Sequence, residues 1–144
     1  MHHISIYDAY MPHISRLKLN KQIEKELVEA LTFTFTNLTK ADDMQKFLTS
    51  LFSPTEELML AKRFAIVVLL KEGFSQIEIS RTLHVTRETV SRIALLQEIK
   101  GDGFNIALQK LDAQKKVQEL KEVLIKLAGY SIRAAGGRVK PEIL

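Results

Sequence analysis

The side chains best suited to binding chemistry lie on one face of a short predicted helix that begins after Thr86. Arg87, Glu88 and Ser91 share that face at helical spacing and carry hydrogen-bonding groups. Such groups can bond the donors and acceptors of a DNA major groove, and an arginine fork fits the O6 and N7 atoms of guanine. We therefore expect this face to contact double-stranded DNA, with Arg87 reading guanine. The candidate DNA-contacting residues are Gln76, Ser80, Thr86, Arg87, Glu88, Ser91 and Arg92.

Two positions in this stretch suit phosphate groups better than base edges. Gln76 and Thr86 stand at the starts of two predicted helices, where free backbone N–H groups and the helix dipole favour an anion. Contacts of this kind fix the position of a protein on the duplex without reading its sequence. We expect Gln76 and Thr86 to position the DNA.

Residues 74–97 are predicted to form a helix-turn-helix, the element that would present this face. Ser75 and Glu78 have the spacing of a capping box, and Thr86 offers an N-cap hydroxyl to the second helix. His84 occupies the turn position that needs a left-handed backbone, which histidine adopts at modest cost. In such a motif the second helix enters a major groove. The inward positions are expected to be Ile79, Leu83, Val90, Ile93, Ala94 and Gln97.

Composition and charge restrict the class of protein. The 144 residues are enough for one domain, and 46% of them are hydrophobic, as in folded globular proteins. The absence of cysteine excludes disulfides and thiolate metal sites. The strongest apolar run, residues 64–70, is too short to cross a bilayer, and the N-terminus lacks a signal-peptide pattern, so we expect a cytoplasmic protein with no membrane partner. A net charge of +4 permits a polyanionic partner without requiring one.

The sequence predicts neither a catalytic site nor a metal site. His2, His3 and His13 lie in or near the N-terminal arm, and His84 lies in the turn, so no histidine is placed beside an acid and a nucleophile. Two adjacent histidines at a chain end are more often inert than metal ligands. We expect no enzyme activity, no metal and no cofactor.

Four further helices are predicted around the helix-turn-helix, which gives about six in all and no strand. They cover residues 14–38, 40–51, 54–72 and 104–127. The third is the clearest, because Ser53 and Glu56 form a capping box and Pro54 fits the first helical position. Its apolar run, 64–70, predicts a central buried helix. Residues 101–103 are predicted to be a turn. The second of these helices is expected to bury Met44, Phe47, Leu48 and Leu51.

We expect one all-α domain over residues 13–130. Residues 1–12 lack helical periodicity and are predicted to be a flexible arm, and residues 131–144 are predicted to be a flexible basic tail. The apolar faces of the helices 14–38 and 104–127 are larger than a single copy can cover. A homodimer with helices exchanged between subunits would cover them, and two copies could read a two-fold DNA site.

Four consecutive segments within residues 51–94 match one known family in order and spacing. They are LFSPTEE, AKRFAIVVLLKEG, SQIEISRTL and TRETVSRI. The block resembles the Trp repressor family, and the continuation GDGFNIALQKL is similar to a poorly characterised, Trp-repressor-like branch of it. The resemblance implies an all-helical, intertwined homodimer that binds operator DNA as a transcriptional repressor.

The same resemblance implies a ligand site. In tryptophan-binding members two arginines sandwich the indole ring, and the matching positions here are Arg63 and Arg92, with Thr89 as the matching small hydroxyl residue. An arginine also suits the carboxylate of an amino acid. The family's glycine after the second arginine is Ile93 here, whose branched side chain should crowd the site. We therefore do not expect tryptophan as the ligand, and a different small-molecule corepressor stays open.

The same residues have other interpretations. Arg63 could pair with Glu56 or Glu57 on the helix surface, and Arg92 could contact a phosphate. A dimeric helical protein-interaction module without DNA binding would use the same helix-turn-helix, and an all-helical enzyme would bind an anionic substrate through the two arginines. Ionic strength separates a DNA-binding protein from a protein-interaction module, because DNA binding releases counterions and weakens as ionic strength rises.

Overall fold

The computed structural model describes residues 17–112, 115–134 and 136. In these residues the chain forms seven α-helices and no strand. The helices are α1 (Lys21–Asn37), α2 (Ala41–Leu51), α3 (Pro54–Lys71), α4 (Gln76–Leu83), α5 (Arg87–Lys100), α6 (Asp102–Asp112) and α7 (Lys115–Ala134). The all-α class is confirmed, and the helix count exceeds the prediction by one. The predicted arm, residues 1–12, lies outside the described residues.

The first compact unit ends at Leu51 and contains α1 and α2. Helix α1 starts at Lys21 and not at residue 14, because Asn20 has an extended backbone and its side chain accepts a 2.8 Å hydrogen bond from the backbone N–H of Gln22. The rings of Phe35 and Phe47 meet edge to face, with centroids 5.6 Å apart, and this contact joins the two helices.

Neither helix of this unit contains a buried residue. The predicted burial of α2 is therefore wrong for Leu51, which is 45% exposed. The other three predicted residues, Met44, Phe47 and Leu48, are only half-buried. The sequence therefore marked the apolar face of α2 correctly but overstated its burial.

The second unit begins at Phe52 and is built around α3. At its start, the backbone N–H of Ser53 donates to the Glu56 carboxylate at 2.8 Å, and the backbone N–H of Glu56 donates to the Ser53 hydroxyl at 3.4 Å. The backbone N–H of Ser53 and its hydroxyl both donate to the Glu56 carboxylate, and these bonds hold the pKa of Glu56 below its ordinary value. Helix α3 ends at Lys71, and Gly73 follows with φ of 84°, which suits a residue without a side chain. The capping box predicted at the start of this helix is confirmed.

Helix α3 is also the centre of the hydrophobic core. Its residues 65–69 are all buried, as predicted from the apolar run, because α4, α5 and α7 all pack on it. Helix α7 packs on α4 as well. The buried apolar residues of this core are Ala65, Ile66, Val67, Val68, Leu69, Phe74, Ile79, Leu83, Val90, Ile93, Leu108, Leu124, Ala128 and Ile132.

The prediction of one long helix over residues 104–127 is wrong, because α6 ends at Asp112 and α7 begins at Lys115. Both polar groups of Asp112 bond to α7. Its backbone carbonyl accepts from the Gln118 amide at 2.6 Å, and its carboxylate accepts from Lys121 Nζ at 2.6 Å. Of the turn predicted over residues 101–103, only Gly101 lies outside a helix. Its backbone is right-handed helical, so α6 starts directly after it.

Lys121 ties α7 to the end of α3. Its half-buried ammonium lies 2.6 Å from the Asp112 carboxylate and 3.4 Å from that of Glu72. The hydrogen bond from Lys121 lowers the pKa of Asp112, and the same bond raises the pKa of Lys121. Each group is thus held in its charged form by the other.

Helix α7 also corrects the predicted end of the domain at residue 130. The helix runs to Ala134, and Ile132 is buried in the core. Residues 131–134 therefore belong to a packed helix, because Leu124, Ala128 and Ile132 recur every four residues and all face α3 and α4. Of the rest of the predicted tail, only Gly136 is among the described residues.

Candidate nucleic-acid interface

A capping box closes the first turn of helix α4, and the inner face of the helix is buried. The backbone N–H of Ser75 donates to the Glu78 carboxylate at 2.7 Å, and the backbone N–H of Glu78 donates to the Ser75 hydroxyl at 3.3 Å. Ile79 and Leu83 are buried, as predicted. Thr82 is also buried, and its hydroxyl donates to the Glu78 carbonyl at 2.8 Å, so this polar group has its partner within α4.

The turn between α4 and α5 has the predicted left-handed residue. His84 has φ of 50° and ψ of 52°, which reverses the chain after α4. The backbone N–H of Val85 donates to the Ser80 carbonyl at 3.1 Å, and the Ser80 hydroxyl donates to the Val85 carbonyl at 2.6 Å. The side chain of Ser80, a candidate DNA contact, is therefore engaged in closing the turn.

Helix α5 is capped by Thr86. The Thr86 hydroxyl accepts from the backbone N–H of Thr89 at 3.1 Å and bonds the Thr89 hydroxyl at 2.9 Å. Val90 and Ile93 are buried in the core, which fixes the rotation of α5 about its axis. That rotation leaves the four remaining candidates of α5 exposed, as predicted. They are Arg87, Glu88, Ser91 and Arg92.

Two of the candidates bond to each other across the motif. The Ser91 hydroxyl donates to the side-chain oxygen of Gln76 at 2.5 Å. Gln76 is the first residue of α4 and Ser91 lies one turn into α5, so the bond links the exposed edges of the two helices. The sequence analysis identified both residues but not this pairing, because they are 15 positions apart and no local spacing brings them together.

The charged candidates of α5 differ in their surroundings. Arg92 forms an ion pair with Glu88, one helical turn before it, and both side chains are more than half exposed. Exposed pairs of this kind are weak, so either group can exchange its partner for a DNA group. Arg87 is exposed at the first position of α5 and makes no ion pair with another described residue. Its guanidinium is the cation best placed for a new partner.

The three candidate ligand residues lie on α3 and α5, which pack on each other. Arg63 is half-buried next to the buried stretch of α3, and Thr89 is half-buried with its hydroxyl bonded to Thr86. Ile93 is 2% exposed, so its side chain fills part of the core between the helices.

The part of the chain that the structure describes contains neither of two other kinds of site. No group of three or more histidine, aspartate or glutamate side chains is arranged to hold a metal ion there. No helix within the same residues has the length and apolar character that crossing a membrane requires. His2, His3 and His13 lie outside the described residues.

The capped helix pair, its left-handed turn and its exposed polar face can be compared with known families. A protein-family model described as Trp repressor protein matches residues 25–112, which is more than half of the chain. The chain belongs to the Trp repressor family. The match includes most of α1 and all of α2 to α6, whereas α7 lies beyond it. The Trp repressor family is one of helix-turn-helix DNA-binding regulators and not of enzymes. Searches of curated proteins and of solved structures returned no match.

Proposed function

We propose that this member of the Trp repressor family is a sequence-specific transcriptional repressor that binds DNA as a homodimer through α4 and α5. The observation that carries the proposal is the two-sided character of α5. Val90 and Ile93 are buried in the core, and Arg87 and Ser91 are exposed on a different face of the same helix. A helix held in this way presents a fixed set of hydrogen-bonding groups, which is what reading base edges requires.

The proposed contacts divide into two kinds. Arg87 and Ser91 would reach base edges, with Glu88 and Arg92 exchanging their mutual ion pair for DNA groups. Gln76 and Thr86, at the starts of α4 and α5, would meet phosphates. Phosphate contacts supply affinity and position, and base contacts supply specificity.

The exposed apolar surface of α1 supports the homodimer. Ile23, Leu27 and Leu31 recur every four residues and all are exposed in a single copy. This helix of 17 residues has no buried side chain, although most helical stability in proteins comes from packing of an apolar face. A second copy would cover this face. It would also place a second α5 on the same DNA, so that the two-fold symmetry of the protein matches that of the site.

Selection of bound sequences from random DNA at a fixed salt concentration tests the proposed function. We expect enrichment of a two-fold site whose affinity falls steeply with ionic strength, because phosphate contacts release counterions. Arg87→Ala should cost about 1–3 kcal/mol on the selected DNA and much less on a scrambled duplex. Arg133→Ala is the matched control, since it removes the same charge from an exposed position of α7.

The outcomes of that experiment are distinct. Arg87→Ala weakening both duplexes equally would make Arg87 a phosphate contact and leave base reading to Glu88 and Ser91. An Arg133→Ala effect as large and as specific as that of Arg87→Ala would argue against α5 as the reading helix. Failure of the wild-type protein to enrich any sequence would favour a dimeric helical protein-interaction module.

Tryptophan is not the ligand that we propose for this repressor. We expect L-tryptophan to change neither the melting temperature nor the DNA affinity, because the position of the family's glycine after the second arginine is taken by the branched, buried Ile93. Thermal melts and DNA titrations over a series of tryptophan concentrations check this. A melting temperature that rises with the logarithm of tryptophan concentration would contradict it, since only a ligand of the folded state has that effect. A different corepressor held by Arg63, Thr89 and Arg92 stays within the proposal.

A further inference from the structure

The hydrogen bond between Ser91 and Gln76 runs from the serine to the glutamine. The Ser91 hydroxyl donates, and the Gln76 carbonyl oxygen accepts, at 2.5 Å. A serine hydroxyl has one proton and two lone pairs, and a glutamine amide has two N–H donors besides its oxygen. The bond therefore uses the only hydroxyl proton of Ser91 and leaves the lone pairs of its oxygen available to accept. It also leaves both N–H groups of the Gln76 amide available to donate to another acceptor.

Both groups remain accessible to a ligand in front of α5. Gln76 and Ser91 are exposed, and Ser91 lies four residues after Arg87 on the same helix face. Whatever groove Arg87 enters is therefore also faced by Ser91. The buried neighbours Val90 and Ile93 hold α5, and the capping box of Ser75 and Glu78 holds the start of α4, so the pair has rigid supports on both sides.

We propose that the Ser91 hydroxyl is a specificity-determining acceptor that selects a base with an exocyclic amino group, adenine or cytosine. Gln76 is the positioning residue, because its bond to Ser91 commits that hydroxyl to accepting. In the major groove adenine N6 and cytosine N4 donate, whereas guanine and thymine present oxygen acceptors at the corresponding place. A free serine hydroxyl bonds either kind, because it can donate or accept. Held by Gln76, the hydroxyl of Ser91 only accepts. The assignment rests on the proposed DNA-binding function.

The same bond orients Gln76 toward the duplex backbone. With its oxygen bonded to Ser91, the amide has its two N–H groups left for a phosphate oxygen next to the selected base. One residue thus fixes the register of α4 on the backbone and the chemical character of a base contact on α5. Changing Gln76 should therefore alter which base is preferred, and not only how tightly DNA is bound.

Three single variants and one double variant test this on the full chain, each by selection from random DNA. The wild type should prefer adenine or cytosine over guanine or thymine at one position of each half-site by about fivefold, as expected for one hydrogen bond. Gln76→Met keeps the length of the side chain but removes the acceptor, so it should abolish the preference at that position alone. Gln76→Glu keeps an acceptor and should retain the preference, with lower total affinity because its charge repels phosphate. Ser91→Ala should abolish the preference at the same position, and adding Gln76→Met to it should change nothing further there.

A second measurement removes the amino group from the DNA and leaves the protein unchanged. Purine in place of adenine at the selected position should weaken wild-type binding by about fivefold and leave Gln76→Met binding unchanged. A wild-type preference for guanine or thymine at this position would overturn the assignment, and so would uniform weakening by Gln76→Met with its base preferences intact. Absence of any enriched sequence for the wild type would instead overturn the proposed function, and the assignment with it.

Discussion

Replacing Leu124 with alanine should lower the free energy of unfolding by about 2–5 kcal/mol. Leu124 is 6% exposed and lies in the core with Ala128 and Ile132, where α7 packs against α3 and α4. Removing most of its side chain loses apolar burial and leaves a cavity that this close packing cannot fill. The expected loss is a large part of the stability of a domain of this size.

The neighbouring residue is the matched control. Val123 lies on the other side of α7 and is 60% exposed, so Val123→Ala should change the free energy of unfolding by less than about 0.5 kcal/mol. Urea unfolding followed by circular dichroism, at one fixed protein concentration, compares the two variants. Equal effects of Leu124→Ala and Val123→Ala would show that α7 is not docked on the helix-turn-helix.

The features that the sequence predicts well are those whose hydrogen bonds join near neighbours. Ser53 with Glu56 and Ser75 with Glu78 are three residues apart, and each pair forms its capping box. The left-handed conformation of His84 is predictable as well, because it depends only on the backbone of that one residue. Buried and exposed faces of α5 follow from helical spacing, so the outward positions of Arg87 and Ser91 are also predictable.

The break between α6 and α7 is not predictable from local patterns. The groups that define it are tertiary partners and not near neighbours along the chain. Lys121 bonds Asp112 and also pairs with Glu72, which is far away along the chain. By contrast, the burial of Ile132 had a signal in the sequence, because it continues the four-residue spacing of Leu124 and Ala128.

The candidate site also has features that the sequence predicts and features that it does not. Its residues could be found from residue type and face, but the roles of two of them depend on contacts between elements. Ser80 closes the turn by donating to the Val85 carbonyl, and Ser91 donates to Gln76 on the other helix. Composition and spacing contain no information about the direction of either hydrogen bond. The chemical character of the reading face is thus a tertiary property.

Leu27→Glu should convert the expected homodimer to monomers at micromolar concentration. Leu27 lies between Ile23 and Leu31 on the apolar face of α1, and it is 57% exposed in a single copy. If a second copy covers this face, an ionised carboxylate there is desolvated without a partner. The expected weakening is roughly 3 kcal/mol or more, about a hundredfold in Kd.

Lys25→Glu is the control for this substitution. Lys25 lies on the polar side of α1, where it pairs with Glu29 across one turn, and both side chains are well exposed. A glutamate there loses a surface pair worth about 0.3–0.5 kcal/mol and should leave the dimer intact. Sedimentation of both variants and the wild type at several concentrations measures the effect. A wild type that sediments only at the 16.4 kDa of one chain would contradict the homodimer. A Leu27→Glu dimer as tight as that of Lys25→Glu would place the interface away from α1, because a buried carboxylate could not be tolerated at its centre.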